Sequence, residues 1–566
     1  MYINKSERSD VSVVLHLRGL DRTTNVDAET HRRISFDDIK CKCAKLAKWF
    51  RSHNLGKGST VGLMSSNNID FIWILLGVWT SGAACRLICP KSTLYELIHA
   101  LDITPVECLL MQKGKLKRLA CPKISAVKYV LEFGEEKTHC SDGAITLEDA
   151  LKDLKEDDHF DQSLQVKPTV QNETQNVAAR DKSSNIPDDI ALILTSSGTT
   201  GLPKCVMLTH GNIITALKKR HLFVEKSAVA LGLMPFRHAY GLITMVMCLC
   251  EGAVLVNMTS FSFLRWINII KEFSVSHLHI VPSLSLSLLK SDIVNFEDLR
   301  SVRQIWVAAA PICEEAHEKL KKKFHQPVRI YKAYGLTEAT FIVAFGEFER
   351  QKPGCIGKIV ETMQCKIIDK DSGDDLPINK VGEVCFKGPM VAKGYVNDPE
   401  ATAEIFCSGG WVRSGDLGSL DEAGCFYYVD RMKNIIKYQG QQISPCELET
   451  VLISHPDVKE AAVIGVPHEI FGEVPRAFIV PLDHSKVIAQ DIHDYMKEMV
   501  APFKQLIGGI VFLTELPKTG LGKVKRSTLL NFEPKTVFYD EIRGKISVHS
   551  HTLESGENRT EAVTTK

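Results

Sequence analysis

Thr195-Ser196-Ser197-Gly198-Thr199-Thr200-Gly201-Leu202-Pro203-Lys204 is the stretch on which the reading of this chain turns. It packs five hydroxyl side chains, two glycines and a lysine into ten residues. The run before it, Ile190-Ala191-Leu192-Ile193-Leu194, is continuously apolar and reads as a buried strand. A strand running out into a Ser/Thr/Gly loop suits a phosphate. Glycines let the backbone approach an anion, N–H groups and hydroxyls donate to its oxygens, and lysine adds a point charge. The P-loop of NTPases is excluded, because it needs Gly-Lys-Ser/Thr, whereas Lys204 follows Pro203 and precedes Cys205. Read alone, the segment also fits a polar surface turn, so the rest of the chain has to decide.

Composition narrows the choice. A chain of 566 residues exceeds one compact core and predicts two or more domains. Its 44% hydrophobic and 24% charged residues are ordinary for a globular protein. A formal net charge of +1 and the lack of a dense basic stripe argue against a nucleic-acid partner or an anionic membrane. Seventeen cysteines include the pairs Cys41/Cys43 and Cys248/Cys250, neither with zinc-site spacing, which predicts reduced thiols in an intracellular protein. The most apolar long region, Ala228 to Met258, holds Arg237, His238 and Glu251 and therefore reads as core, not as a membrane span. With no apolar leader at Met1 and no S-K-L type ending at Lys566, the expected location is the cytoplasm.

The fold expected is α/β. Phe36 to His53 carries a helical apolar face, Ser59 to Met64 reads as a strand, and Phe71 to Ala83 is apolar again. Such alternation predicts layered, largely parallel sheets with helices. The expected boundaries are a large N-terminal domain, 1–429, with a flexible insertion at 155–188, a small α+β domain at 430–547, and a disordered tail at 548–566. In the small domain, Ala461–Val466 and Ala477–Pro481 read as short strands, and Glu447–Ser454 and Ala489–Met499 as helices.

Further segments give the loop its context: Met234-Pro235-Phe236-Arg237-His238-Ala239-Tyr240-Gly241; Tyr334-Gly335-Leu336-Thr337-Glu338; Arg413-Ser414-Gly415-Asp416; Tyr428-Val429-Asp430-Arg431-Met432-Lys433; Ile436-Lys437-Tyr438-Gln439-Gly440-Gln441-Gln442; and Leu516-Pro517-Lys518-Thr519-Gly520-Leu521-Gly522-Lys523. Their order and spacing resemble the adenylate-forming superfamily of acyl-CoA synthetases, coumarate–CoA ligases, beetle luciferases and peptide-synthetase adenylation domains. The resemblance covers about residues 30 to 535. It implies a two-step reaction. A carboxylate attacks the α-phosphate of ATP, giving an acyl-adenylate and pyrophosphate, and the thiol of CoA then displaces AMP. The partners implied are a carboxylic acid of fatty or arylpropanoate type, ATP with Mg2+, and CoA. The small domain is implied to be mobile, swinging about a hinge at Asp430-Arg431-Met432-Lys433.

By the same resemblance, Thr195, Ser196, Ser197, Gly198, Thr199, Thr200, Gly201 and Lys204 would hold pyrophosphate, Glu338 would bind the metal, and Thr337 would lie beside the phosphate. Ala309, Ala310 and Pro311 would meet the adenine and the acyl group. Tyr334 and Gly335 would flank the base, and Asp416, Arg431 and Lys433 the ribose side. His238 would gate the acyl pocket. Lys523, in a glycine-flanked loop that can swing a long side chain, would neutralise charge in the adenylation transition state. Lys437, Gly440 and Gln442 would serve the thioester step. Four departures stand out. Cys205 replaces a usual glycine, Gln439 a frequent lysine, and Ala309 a frequent glycine. Phe341 stands where luciferases tend to carry a small hydroxyl residue, which argues against a luciferase because a phenyl ring would crowd its substrate. A non-catalytic binding protein of the same fold is the third alternative, and the intact set of Lys204, Thr337, Glu338, Asp416, Arg431, Lys437 and Lys523 speaks against it.

Overall fold

A computed structural model describes residues 23–92, 94–113, 126–134, 144–154, 186–196, 204–291, 293–309, 314–348, 352–438, 441–468, 471–482, 485–519, 522–532, 538–540 and 545–547. The chain forms two compact units, Met1–Tyr428 and Val429–Lys566. The 155–188 insertion lies outside the described residues, apart from a single 3-10 turn at Ile186–Asp188, and so does the tail 548–566.

Two sheets organise the first unit. The smaller has eight strands among the described residues, in the order Gly394–Tyr395, Lys204–Thr209, Ile190–Ser196, Ala84–Ile88, Thr60–Met64, Cys108–Gln112, Tyr129–Phe133 and Ile145–Thr146. It is parallel from Ile190–Ser196 onward and antiparallel at the other end. Helix Phe36–Ser52 starts where sequence chemistry dictates. The Ser35 hydroxyl accepts from Asp38 N–H while the Asp38 carboxylate accepts from Ser35 N–H, a capping box. Helix Phe71–Ser81 is apolar all round because it is buried on nearly every face, and it stops at the left-handed Gly82.

The larger sheet has fourteen strands among the described residues. Val254–Asn257, Val229–Gly232, His277–Ile280, Gln304–Val307 and Arg329–Gly335 form its parallel half. From Arg329–Gly335 onward, pairing with Ile342–Glu347 and then Cys355–Ile359 is antiparallel. The expectation of largely parallel sheets therefore needs correction in this half. The link 336–341 is too short for the crossover that parallel strands need, so the chain turns straight back. The predicted core region is core: helix Ala239–Glu251 is buried along most of its length. Among the described residues no helix is long and apolar enough to cross a membrane.

Among the described residues the second unit carries its own sheet, of five strands, and its own buried apolar cluster. Helices Pro445–Ser454 and Ala489–Met499 stand where the periodicity put them. The two strands expected to be short run over Val458–His468 and Gly472–Pro481, paired antiparallel throughout, since each finds a ladder partner beyond its apolar centre.

Candidate active site

The hydroxyl-rich stretch begins and ends on two paired strands. Ile190–Ser196 and Lys204–Thr209 pair antiparallel, with Ser196 opposite Lys204. Ser197, Gly198, Thr199, Thr200 and Gly201 lie outside the described residues. Thr195 accepts a hydrogen bond of 2.9 Å from the Arg86 guanidinium. The buried Ser196 hydroxyl has no partner among the described residues. The Lys204 ammonium lies 5.0 Å from the ring centroid of Tyr395, within cation–π range. Cys205 is buried in the hairpin opposite Thr195.

Tyr395 connects this hairpin to the carboxylate predicted to bind metal. Its hydroxyl donates to Glu338 Oε1 at 3.0 Å. Burial and the neighbouring Glu338 push the Tyr395 phenol well above its ordinary range, so it stays a donor. The segment around Tyr395 works as a strap. Gly394 and Tyr395 pair with Met207 and Val206 on one side, and Ala392 N–H donates to the Glu338 carbonyl at 2.8 Å on the other. The strap also takes a 2.6 Å hydrogen bond from the Thr340 hydroxyl to the Met390 carbonyl. Thr337 and Glu338 sit in the 3-10 turn Thr337–Ala339, and Thr340 closes it at φ +67°, a left-handed geometry that a β-branched residue rarely adopts. Such strain gathers at functional sites. Among the described residues no group of three or more His, Cys, Asp or Glu side chains could hold a metal ion by itself.

Asp416 and Tyr334 meet. The Tyr334 hydroxyl donates to Asp416 Oδ2 at 2.5 Å, and the aspartate is 1% exposed. A bulge aims the aspartate. Cys385 pairs with Arg413 and Glu383 with Leu417, so Val384 alone faces Ser414, Gly415 and Asp416. Gly415 takes φ +67°. Glu383 fixes the bulge by accepting from Gly415 N–H at 3.2 Å and from Arg413 Nε at 2.8 Å. Bulges beside sites commonly re-aim one side chain. Gly335 has a steric reason of its own, since a Cβ there would stand 2.2 Å from the Phe341 carbonyl oxygen.

His238 is the residue before helix Ala239–Glu251, half-buried. Ala309 adopts φ +75°, so the methyl in place of glycine strains the backbone as well as narrowing the wall. Ala310 and Pro311 lie outside the described residues. Phe341 is 5% exposed and packs with Phe223 and Tyr240, at ring separations of 5.6 and 6.4 Å. The buried Tyr240 hydroxyl donates to the Trp306 carbonyl at 3.0 Å.

The remaining predicted residues belong to the second unit. Lys437 and Gln442 face each other across the pair Ile436–Tyr438 and Gln441–Ile443, and the lysine side chain is exposed while its neighbours are buried. Gln439 and Gly440 lie outside the described residues. Arg431 precedes the 3-10 turn Met432–Asn434, and Lys433 lies within it. Lys523 ends a tight turn: Thr519 N–H donates to its carbonyl at 2.7 Å, and Gly522 takes φ +76°. An ion pair between Lys518 and Glu460, 2.6 Å, anchors the turn.

Sequence reasoning missed Tyr395, Arg86 and Glu383. For Tyr395 a signal existed: it follows Gly394 and shortly precedes Asp398-Pro399, a helix start in which the Asp398 side chain accepts from Ala401 N–H. A basic residue inside the apolar run Ala83 to Ile88 was the signal for Arg86. Glu383 carried none.

Residues 16–396 match the model of the AMP-binding enzymes, and residues 447–523 that of the AMP-binding enzyme C-terminal domain. The chain is 33% identical over 522 residues to a 4-coumarate–CoA ligase of Pinus taeda, covering 90% of this chain and 91% of that protein. It is 32% identical over 497 residues to a luciferin 4-monooxygenase of Nipponoluciola cruciata, covering 87% of each. Among solved structures it resembles ATP-bound MatB from Rhodopseudomonas palustris, with a TM-score of 0.77, 23% identity and coverage of 92% of this chain and 98% of that one. It also resembles a benzoate CoA ligase from Burkholderia xenovorans, with a TM-score of 0.78, 22% identity and coverage of 92% and 99%. At such identity these likenesses speak to the fold, while the family match and the curated relatives reach further. The chain belongs to the AMP-binding enzymes of the adenylate-forming superfamily.

Proposed function

We propose that this protein is an AMP-forming acid–CoA ligase acting on a fatty or arylpropanoate-type carboxylic acid. The observation that carries the reading is the cluster Lys204–Tyr395–Glu338, which sets a cation and a carboxylate on either side of one phenol at the hydroxyl-rich hairpin. A polyphosphate with its metal needs both signs of charge close together. Mg2+ is usually held by one or two carboxylates plus substrate phosphates, so a lone Glu338 fits that role. Mg2+ bound there would neutralise phosphate charge.

In the first half-reaction a carboxylate oxygen of the acid forms a bond to the α-phosphorus. The bond from that phosphorus to the bridging oxygen breaks, and pyrophosphate leaves with the electron pair. Lys204 and the hairpin hydroxyls hold the departing charge, Thr337 lies beside the phosphate, and Lys523 neutralises the charge building between carboxylate and α-phosphate. Asp416, oriented by Tyr334 and the Gly415 bulge, accepts from the ribose hydroxyls, with Arg431 and Lys433 on the same side. Gly335 flanks the base, and Ala309, Ala310 and Pro311 line it. In the second half-reaction the thiol sulfur of CoA bonds to the acyl carbon, and AMP leaves with the electrons of the cleaved acyl–oxygen bond. The thiol proton passes to solvent or to AMP. Lys437, Gly440 and Gln442 serve this step, and the small domain, 430–547, reorients about the hinge Asp430-Arg431-Met432-Lys433 between the two. His238 with Tyr240 and Phe341 bounds the acyl pocket. The scattered cysteines fit work in the cytosol, where a fluorescent fusion should be diffuse; overlap with peroxisomes would overturn that placement.

The test is AMP release by the purified chain with ATP, Mg2+ and a panel of carboxylic acids, with and without CoA, products being identified by mass spectrometry. An acyl-CoA product is expected. Acyl-adenylate without thioester in the presence of CoA would overturn the ligase assignment. The curated luciferin 4-monooxygenase relative keeps light emission as a second reading. The buried ring of Phe341 weighs against it, and photon counting with luciferin, ATP and oxygen decides.

A further inference from the structure

Arg86 stands in the middle of a buried strand, Ala84–Ile88, and is 2% exposed. Its guanidinium Nη1 donates to the Thr195 hydroxyl at 2.9 Å and to the carbonyls of Leu87 and Ile193 at 3.3 and 3.4 Å. Its Nε is buried with no partner, and no carboxylate among the described residues accepts from it. Burial disfavours its charge. An uncompensated buried cation is costly, and an apolar residue of similar volume generally fills such a place more favourably. The charge therefore calls for an anion.

Position says where that anion belongs. Ala84–Ile88 runs parallel to Ile190–Ser196 with Arg86 opposite Ile193, two residues before Thr195. Open α/β sheets bind ligands beyond the carboxyl ends of their strands, and Thr195 and Ser196 form the carboxyl end of this one. The next residue along the strand, Ser196, has a buried hydroxyl that also lacks a partner among the described residues. Ser196 faces the other side of the sheet from Arg86 and Thr195, so each face of this strand end keeps a donor to be completed by something that accepts hydrogen bonds.

Resting on the reading of Thr195, Ser196 and Lys204 as part of the polyphosphate site, we propose that Arg86 is a positioning residue for that site, a fixed cation in the neighbouring strand that orients the Thr195 hydroxyl and lends positive charge to the bound polyphosphate. Lys204 is then one of two cations serving the anion, with Arg86 the buried one.

The test compares full-length wild type, Arg86→Gln and Arg86→Lys by calorimetric titration with inorganic pyrophosphate and with Mg-ATP at low and high salt. Thermal melts verify folding. Glutamine keeps N–H donors for Thr195 and the carbonyls but drops the charge. The Gln variant should bind pyrophosphate about tenfold more weakly, with a shallower salt dependence, while Lys stays within about threefold of wild type. In turnover, the KM for ATP should rise more than kcat falls in the Gln variant. If folded Arg86→Gln binds pyrophosphate as wild type does, the arginine merely ties two strands together and the inference falls alone. Should the Gln variant melt below the assay temperature, Arg86→Met decides by the same readout. If wild type binds neither pyrophosphate nor ATP, the hairpin reading falls and takes the inference with it.

Discussion

Tyr395 spans the gap between Lys204 and Glu338 with one ring and one hydroxyl, and those two functions can be separated chemically. Tyr395→Phe keeps the ring and loses the donor. The Mg2+ concentration for half-maximal ATP–pyrophosphate exchange should rise about tenfold, as for other lost partners of a metal-binding group, with little change in melting temperature; an unchanged Mg2+ requirement would remove Tyr395 from the site. Lys523→Ala should slow adenylation by at least about a hundredfold, the usual cost of losing one electrostatic stabiliser, while ATP affinity measured by calorimetry stays nearly constant. Retained adenylation would exclude Lys523 from that role. Ala309 reads out strain. At φ +75° an L-residue is disfavoured by about 1–2 kcal/mol, so Ala309→Gly should leave stability unchanged or raise it slightly, where alanine-to-glycine changes elsewhere lower it. Equilibrium denaturation checks this.

Elements carry the site through their irregularities more than through their regular parts. The bulge at Ser414–Asp416 turns one strand residue out of register, and Gly415 pays for the turn with φ +67°. Gly415→Ala should therefore weaken ATP binding by more than its loss of stability, about 1–2 kcal/mol, accounts for; parallel calorimetry and denaturation separate the two. Element placement also buries histidines, His277 and His279 in a strand and His210 at the start of a helix. Desolvation holds His279 down to about 3 and His210 and His277 down to about 4, against an ordinary 6.5. A folded-state value below the unfolded one means that the folded form binds fewer protons in between. The stability these residues contribute is complete above pH 6.5 and is lost as pH falls from there toward 4 and then 3. The loss is about 1.4 kcal/mol per pH unit for each histidine. Melts between pH 7 and 5 should show it, and His279→Gln should make the slope shallower; an unchanged slope would contradict the burial account.

On the scale of the whole molecule, the proposed catalytic set is divided between two units. Thr195, Ser196, Lys204, Thr337, Glu338, Tyr334 and Asp416 belong to the first, and Arg431, Lys433, Lys437, Gln442 and Lys523 to the second. The strand that joins them is anchored at both ends. Its ladder pairing with Cys355–Ile359 extends to Tyr427, and the Asp430 carboxylate accepts from Ser444 and from Cys446 N–H within the second unit, each at 2.9 Å. If the second unit reorients as proposed, the turn falls in the stretch Asp430-Arg431-Met432-Lys433. Lys437→Ala should then slow thioester formation more than adenylation in single-turnover assays of each half-reaction; equal losses would sink the two-orientation reading. Local chemistry was enough to read the strand at Ile190, the helices at Phe36 and Ala489, and the family, since apolar periodicity, caps and loop composition act over a few residues. The sheet order was not readable, nor was the antiparallel return after Gly335, which follows from a short link and the partner strand it finds. Sheet order decided which side chains meet: Arg86 beside Thr195, Tyr334 beside Asp416, Tyr395 between Lys204 and Glu338. These residues lie tens to hundreds of positions apart, and only the tertiary packing that buries the strands, with the register it imposes, sets such long-range pairings.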